Sequence, residues 1–282
     1  MRVIKRKKGE KSYFYLRDSF RIRGKVVTKD KYLGRKIPED IEDIKKELEK
    51  EKKKDIYDKL EEIKKNFQKE WKKLPETVKE KEKKRIGIAF TYNTNAIEGS
   101  RITLEETREI VNDKIAPSKS LYDIKETEAH YDVFLDMINK KRKLDNKLIL
   151  EWHFNIFKNT KKDIAGTFRT YGVSVGNYKA VDWQDVEKLV DGLFDYEKIN
   201  PVELSARLHY RFEKIHPFGD GNGRIGRLLI NWLLWWNNYP MLVIEYKKRK
   251  SYYKALERDE DGFVRYFIRR YLSVHKNRII LF

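Results

Sequence analysis

The sequence predicts a mainly α-helical protein, and three observations carry that reading. Apolar residues recur at three- and four-residue spacing over most of the 282 positions, the pattern of one buried stripe per helix. Helix-start signals precede these runs: Pro38 ahead of Glu39 and Asp40, and Thr103 with Glu106 three residues on, a capping box. Strand-like alternation is confined to two short stretches.

The first of these is a small basic antiparallel β unit over 1–36. Tyr13 and Tyr15 alternate with Phe14 and Leu16, then Phe20, Ile22, Val26, Val27, Tyr32 and Leu33 follow, with Gly24 and Gly34 at turns. Its dense Lys and Arg suit nucleic acid, a docking role or edge protection, although no nucleic-acid motif is matched. A helical connector over 37–85 comes next. Ile44, Leu48, Ile56, Leu60, Ile63, Phe67 and Trp71 form one apolar stripe, as an amphipathic helix or helical hairpin, and Pro75 interrupts it. A coiled-coil dimer is an alternative, although the heptads are not sustained, and the oligomeric state is left open. Further helices fit 79–97, 103–115, 121–140, 146–159, 182–198, 201–214, 224–237 and 249–272. The second β stretch is a hairpin over 169–181, with Val173-Ser174-Val175 and Tyr178–Val181 around a Gly176-Asn177 turn. A lone hairpin is marginal in water, so it must lean on the helices, and its edge can pair with an extended peptide.

Composition narrows the class. Charged residues make up 39% of the chain, against an ordinary share of about 25%. The excess of Lys and Glu fits a hot-living source or a biased genome. The absence of cysteine excludes disulfides, thiolate catalysis and Cys-based zinc sites. Residues 1–8 lack the apolar core of a signal peptide, and the longest apolar stretch, Leu228–Trp236, contains Asn231 and is too short to span a bilayer. These features lead us to expect a soluble cytoplasmic protein with no membrane partner. The net charge of +19 favours polyanionic partners or reflects a solvated lysine surface.

Function concentrates in residues 216–227, His216-Pro217-Phe218-Gly219-Asp220-Gly221-Asn222-Gly223-Arg224-Ile225-Gly226-Arg227. Pro217 ends the preceding helix. The glycines Gly219, Gly221 and Gly223 let backbone N–H groups approach an anion, and Arg224 opens a new helix whose free N–H groups point at the same spot. His216 titrates near neutrality and can take a proton from a hydroxyl. Asp220 can hold Mg²⁺ across two phosphates. Asn222 and the loop amides can stabilise phosphoryl oxygens, while Arg224 and Arg227 can hold leaving phosphates. Together these groups describe transfer of a phosphorus centre to a hydroxyl. Three other motifs fail. Gly221–Gly226 matches G-x-G-x-x-G, but a helix rather than a strand precedes it. The Asp220–Gly223 start of an EF-hand loop is defeated by Arg224 at the fifth position, and the phosphate loop G-x-x-x-x-G-K-[ST] is absent.

Residues 216–227 resemble, without departure, the H-P-F-x-D-G-N-G-R-x-x-R signature of the Fic family. Phe212–Ile215 and Tyr252–Leu256 are similar to that family too, and the resemblance covers about residues 86–275. It implies a Fic-fold helical bundle that transfers AMP from ATP to a Ser, Thr or Tyr hydroxyl of a protein, with Mg²⁺. His216 would be the base and Asp220 the metal ligand. Gly221, Asn222 and Gly223 would form the anion cradle, and Arg224 and Arg227 would bind the outer phosphates. The 169–181 hairpin resembles the family's flap, which would position the target through Val173, Ser174 and Val175. Asn231 is a candidate nucleotide contact.

Thr94-Asn95-Ala96-Ile97-Glu98-Gly99 resembles the family's inhibitory helix, (S/T)-x-x-x-E-(G/N), here over about 86–99. A Glu98 carboxylate on Arg227 would occupy the place of the outer phosphate, so that ATP could bind only askew. In some relatives that glutamate helps water remove AMP, which leaves de-AMPylation as an alternative. A nucleic-acid-binding or regulatory protein that senses nucleotide is another. His153 and His209 sit beside apolar residues and read as structural. Trp232, Trp235 and Trp236 read as core, with a stack on the nucleotide base as the alternative.

Overall fold

The computed structural model describes residues 1–22, 25–176, 178–196 and 198–279; Gly24 and Asn177, expected at turns, lie outside them. The chain divides into Met1–Lys59 and Leu60–Phe282, with the division falling inside α1 (Ile41–Lys73), which is one helix and not a hairpin.

In the first unit, β1 (Arg2–Lys8), β2 (Lys11–Ile22) and β3 (Lys25–Gly34) form an antiparallel sheet in the order β1-β2-β3. The register places Ile4 opposite Tyr15 and Tyr15 opposite Tyr32. Leu16 is buried, and Asp18 on the same face pairs with Lys52 of α1, so that face is the covered one.

The second unit is helical. Its helices are α2 (Glu76–Ile97), α3 (Leu104–Arg108), α4 (Leu121–Asn139), α5 (Asn146–Phe157), α6 (Val186–Gly192), α7 (Pro201–Ile215), α8 (Asn222–Trp236), α9 (Arg249–Leu256) and α10 (Glu260–Val274). Local signals start several of them. Asp145 accepts from the Leu148 N–H at 3.0 Å ahead of α5, and Asn200 accepts from Val202 at 2.9 Å ahead of α7, where Pro201 needs no N–H partner. The capping box forms at α3: the Thr103 N–H donates to Glu106 at 2.7 Å and the Glu106 N–H to Thr103 at 3.2 Å. Phe90, Phe134, Trp152, Phe157, Phe212, Phe218 and Leu229 meet in one core, around which α7 and α8 hold the 216–221 turn.

Several helix bounds differ from expectation. The 249–272 run splits because Asp259 caps α10, accepting from Gly262 at 2.8 Å. The 182–198 run shrinks to a 3₁₀ turn at Trp183–Asp185 followed by α6, which ends at Gly192. After α3, Glu109–Asp113 forms a π-helical turn that stops at left-handed Lys114. The expected 224–237 helix begins two residues earlier, behind a left-handed Gly221 at φ 81°. The hairpin is short: β4 (Ser174–Val175) pairs with β5 (Tyr178–Lys179), and the Ala180 N–H extends it to the Val173 carbonyl at 3.1 Å. No helix among the described residues is long and apolar enough to cross a membrane.

Candidate active site

His216 is the residue where α7 stops. Its backbone is left-handed, with φ 51°, because Pro217 forbids a further helical turn. Two features pin this turn. Arg169, only 3% exposed, donates to four carbonyls: Nε to His216 at 2.8 Å, Nη1 to Tyr171 at 2.7 Å, and Nη2 to Val181 at 2.6 Å and Ile215 at 3.3 Å. It thereby ties both ends of the hairpin to the His216 backbone. The Asn222 side chain closes the turn from the other side, accepting from the Phe218 N–H at 2.8 Å and donating to the Phe218 carbonyl at 2.9 Å. Its amide is thus taken up by the loop, and only its backbone remains for an anion. Burial lowers the His216 pKa, with the Glu213 carbonyl opposing. Its Nδ1 is buried, which leaves Nε2 for proton transfer.

The next residues form the cradle. His153 of α5 stacks on Phe218 with centroids 3.9 Å apart, accepts from the Gly166 N–H at 2.9 Å and donates to the Asp220 carbonyl at 3.0 Å. Burial drives its pKa down to about 4, so it is a neutral structural group. A Cβ on Gly221 would sit 2.4 Å from Phe157, so only glycine fits there. The Asp220 carboxylate meets Lys161 at 2.7 Å and Arg224 at 3.4 Å. Burial alone would raise its pKa, but these cations outweigh burial and hold it down at about 2.

Arg224 and Arg227 leave the same helix toward different partners. Arg224 pairs with buried Glu126 of α4 and lies 4.4 Å over the Phe157 ring. Lys161 also reaches Glu126, at 2.9 Å, so two carboxylates and two cations alternate beside the turn. Arg227 is only 2% exposed. Its Nε donates to Thr94 Oγ1 at 2.5 Å, and its Nη2 donates to the Thr94 carbonyl at 3.2 Å and to Glu98 Oε1 at 2.5 Å. Burial works against its charge, but the Glu98 carboxylate together with Tyr252 and Glu213 outweighs it and raises its pKa. Gly99, left-handed at φ 96°, ends α2 just past Glu98. A Cβ on Gly223 would fall 2.2 Å from Glu98 Oε1, so the glutamate lies directly over the cradle.

Asn231 does not reach the site. It is 1% exposed, accepts from the Leu242 N–H at 2.9 Å and donates to the Leu242 and Arg227 carbonyls at 3.2 and 3.3 Å. The expected nucleotide contact is therefore corrected to a structural bond, because its amide is satisfied by the following segment. Trp232 is buried in the core, and Trp235 and Trp236 donate to the Ile138 and Met137 carbonyls, both at 3.0 Å. His209 is buried against Tyr252 at 2.7 Å, where Gly226 gives it room.

Glu126, Lys161 and Arg169 are not singled out by the sequence. Among the described residues no group of three or more His, Asp or Glu stands together as a metal site. Asp220 is instead a single ionised carboxylate with a 41% exposed side chain. A Mg²⁺ ion that keeps most of its shell as water and substrate phosphate needs only one or two such donors, so the donor set fits.

Comparison with known proteins agrees with this geometry. Residues 143–234 match the Fic/DOC family. The chain is 35% identical over 189 residues to a protein adenylyltransferase Fic of Nematostella vectensis, covering 63% of this chain and 44% of that protein. It is 31% identical over 204 residues to protein adenylyltransferase fic-1 of Caenorhabditis elegans, covering 68% and 40%. The chain thus spans less than half the length of these relatives. Among solved structures, a Fic-domain-containing signaling protein from Bacteroides thetaiotaomicron superposes with TM-score 0.65 at 27% identity, covering 78% of this chain and 97% of that one. A C. elegans Fic-1 fragment gives TM-score 0.70 at 24% identity, covering 83% and 73%, a likeness of fold.

Proposed function

We propose that this chain, which carries a Fic domain, is a protein adenylyltransferase that moves AMP from ATP onto a protein hydroxyl and is restrained by its own Glu98. The observation that carries the reading is the turn itself: a half-buried imidazole, an ionised carboxylate and a glycine-lined helix start follow one another from His216 to Gly223. A Ser, Thr or Tyr oxygen would bond to the α-phosphorus. The bond from that phosphorus to the β-phosphate oxygen would break, and pyrophosphate would leave. His216 Nε2 would take the hydroxyl proton, a neutral imidazole being suited to the task. The Gly223 and Arg224 N–H groups at the start of α8 would receive phosphate oxygens. Asp220 would hold Mg²⁺, which supplies charge neutralisation across the phosphates. The hairpin edge at Val173, Ser174 and Val175 would align the target strand.

The brake is read from the Glu98–Arg227 pair at 2.5 Å. An outer phosphate that needs Arg227 must first displace Glu98. Intact-mass spectrometry of the protein after incubation with ATP and Mg²⁺ tests the activity, on the chain itself and on candidate targets. A gain of one AMP that falls at least about a hundredfold in His216→Ala supports the proposal. Modification that proceeds unchanged in that variant refutes the role of His216.

A further inference from the structure

The first unit presents a second surface that the transferase reading does not use. Residues 1–36 hold 14 Lys and Arg against 3 Asp and Glu. With Leu16 and Asp18 turned to the covered face, strand alternation places Arg2, Ile4, Arg6 and Lys8 of β1 on the other face. Lys11, Tyr13, Tyr15 and Arg17 of β2 and Asp30 and Tyr32 of β3 share it. Three phenol rings cluster there: Tyr13 and Tyr32 centroids lie 6.3 Å apart, and Tyr15 and Tyr32 centroids 5.3 Å apart. The Arg6 guanidinium lies 4.9 Å over the Tyr15 ring. Asp30, the acid on this face, is held by Arg6 and by Arg17 at 2.8 Å, which fixes the Arg6 guanidinium beside the Tyr15 ring. Tyr32 is nonetheless 54% exposed.

Cross-strand aromatic pairing by itself would steady the sheet. It does not account for a ring cluster that leaves Tyr32 half exposed and Tyr13 and Tyr15 only partly buried, rimmed by Arg2, Arg6, Lys8 and Lys11, since packing favours covering such rings. We propose that this face binds single-stranded nucleic acid, with bases stacked on Tyr13, Tyr15 and Tyr32 and phosphates met by the basic rim. Charge complementarity selects a polyanion. The rings select exposed bases over a duplex, whose bases are already stacked, and over an acidic peptide, which has no flat face to offer.

The test is fluorescence anisotropy of a labelled oligothymidylate of about 20 nucleotides with the full chain, its site size allowing several stacked bases. The same strand in a duplex and polyglutamate serve as competitors. The single strand is expected to bind and to weaken steeply as salt rises from about 50 to 200 mM. Tyr32→Ala should weaken binding about tenfold, the scale of one lost stack, and Tyr32→Phe should restore it. Because Tyr32 is 54% exposed, its loss should leave the far-ultraviolet circular dichroism unchanged. Absence of binding at low salt, equal affinity in Tyr32→Ala, or competition by duplex or polyglutamate as effective as by the single strand would each overturn the proposal.

Discussion

Replacing Glu98 with alanine separates a brake from a plain helix end. Arg227 is 2% exposed and holds Glu98 through a 2.5 Å charge-assisted bond. Such bonds contribute about 1.5–3 kcal/mol. If ATP must displace Glu98, that free energy is subtracted from ATP binding in the wild type. Its removal should therefore tighten ATP about 10- to 100-fold, at about 1.4 kcal/mol per decade. The same variant loses the partner of a buried cation. Breaking a fully buried pair costs about 3–5 kcal/mol. Glu98 retains 29% of its side-chain exposure, so a smaller loss, on the order of 1–3 kcal/mol, is expected. ATP phosphates would supply the missing charge, so nucleotide should raise the melting temperature more in Glu98→Ala than in wild type. Calorimetric titration with ATP and melting with and without nucleotide measure both effects. If the variant melts lower but binds ATP within twofold of wild type, Glu98 is a structural cap and the brake is wrong. Incubating AMP-modified protein with wild type and variant decides whether Glu98 also serves removal.

Further outcomes follow from the site. Burial raises the Glu213 pKa to about 7. Its folded form keeps a proton that the unfolded chain releases near its ordinary 4.5, so stability should fall as pH rises from about 4 to 7 and level off above. Glu213→Gln should remove that slope and be more stable at pH 8 by up to about 3 kcal/mol, as pH-dependent melting would measure; equal slopes would refute the assignment. Because burial lowers the His216 pKa, and with the neutral ring as the proposed base, activity should fall on acidification only below pH 6.5. An acid limb of kcat/KM above that value would count against His216. Arg169→Lys cannot reach four carbonyls and should lower kcat about 10- to 100-fold while ATP affinity stays within twofold, since the imidazole and hairpin lose their registration.

How much of this was legible in advance depended on distance along the chain. The 216–227 turn was readable because its parts are neighbours: Pro217 stops α7, Gly221 caps α8, and both arginines follow within one helical turn. The Thr94–Gly99 segment was legible as a helix end, yet its aim at Arg227 spans 129 residues. Glu126, Lys161 and Arg169 escaped notice because single charges carry no signal in a chain that is 39% charged. Asn231 misled for the converse reason: an amide one helical turn beyond Arg227 looks available until the Leu242 backbone is seen to satisfy it.

The order of residues alone determined a helical chain interrupted by one polar, glycine-rich turn, because backbone limits at proline and glycine and the 3.6-residue period act locally. Only the packed structure decided which charges oppose one another. Arg224 meets Glu126 and Arg227 meets Glu98 because α2, α4 and α8 bury their apolar stripes together, and each guanidinium, withdrawn from water, is balanced by the carboxylate the fold brings to it, with Asp220 and Thr94 as further partners.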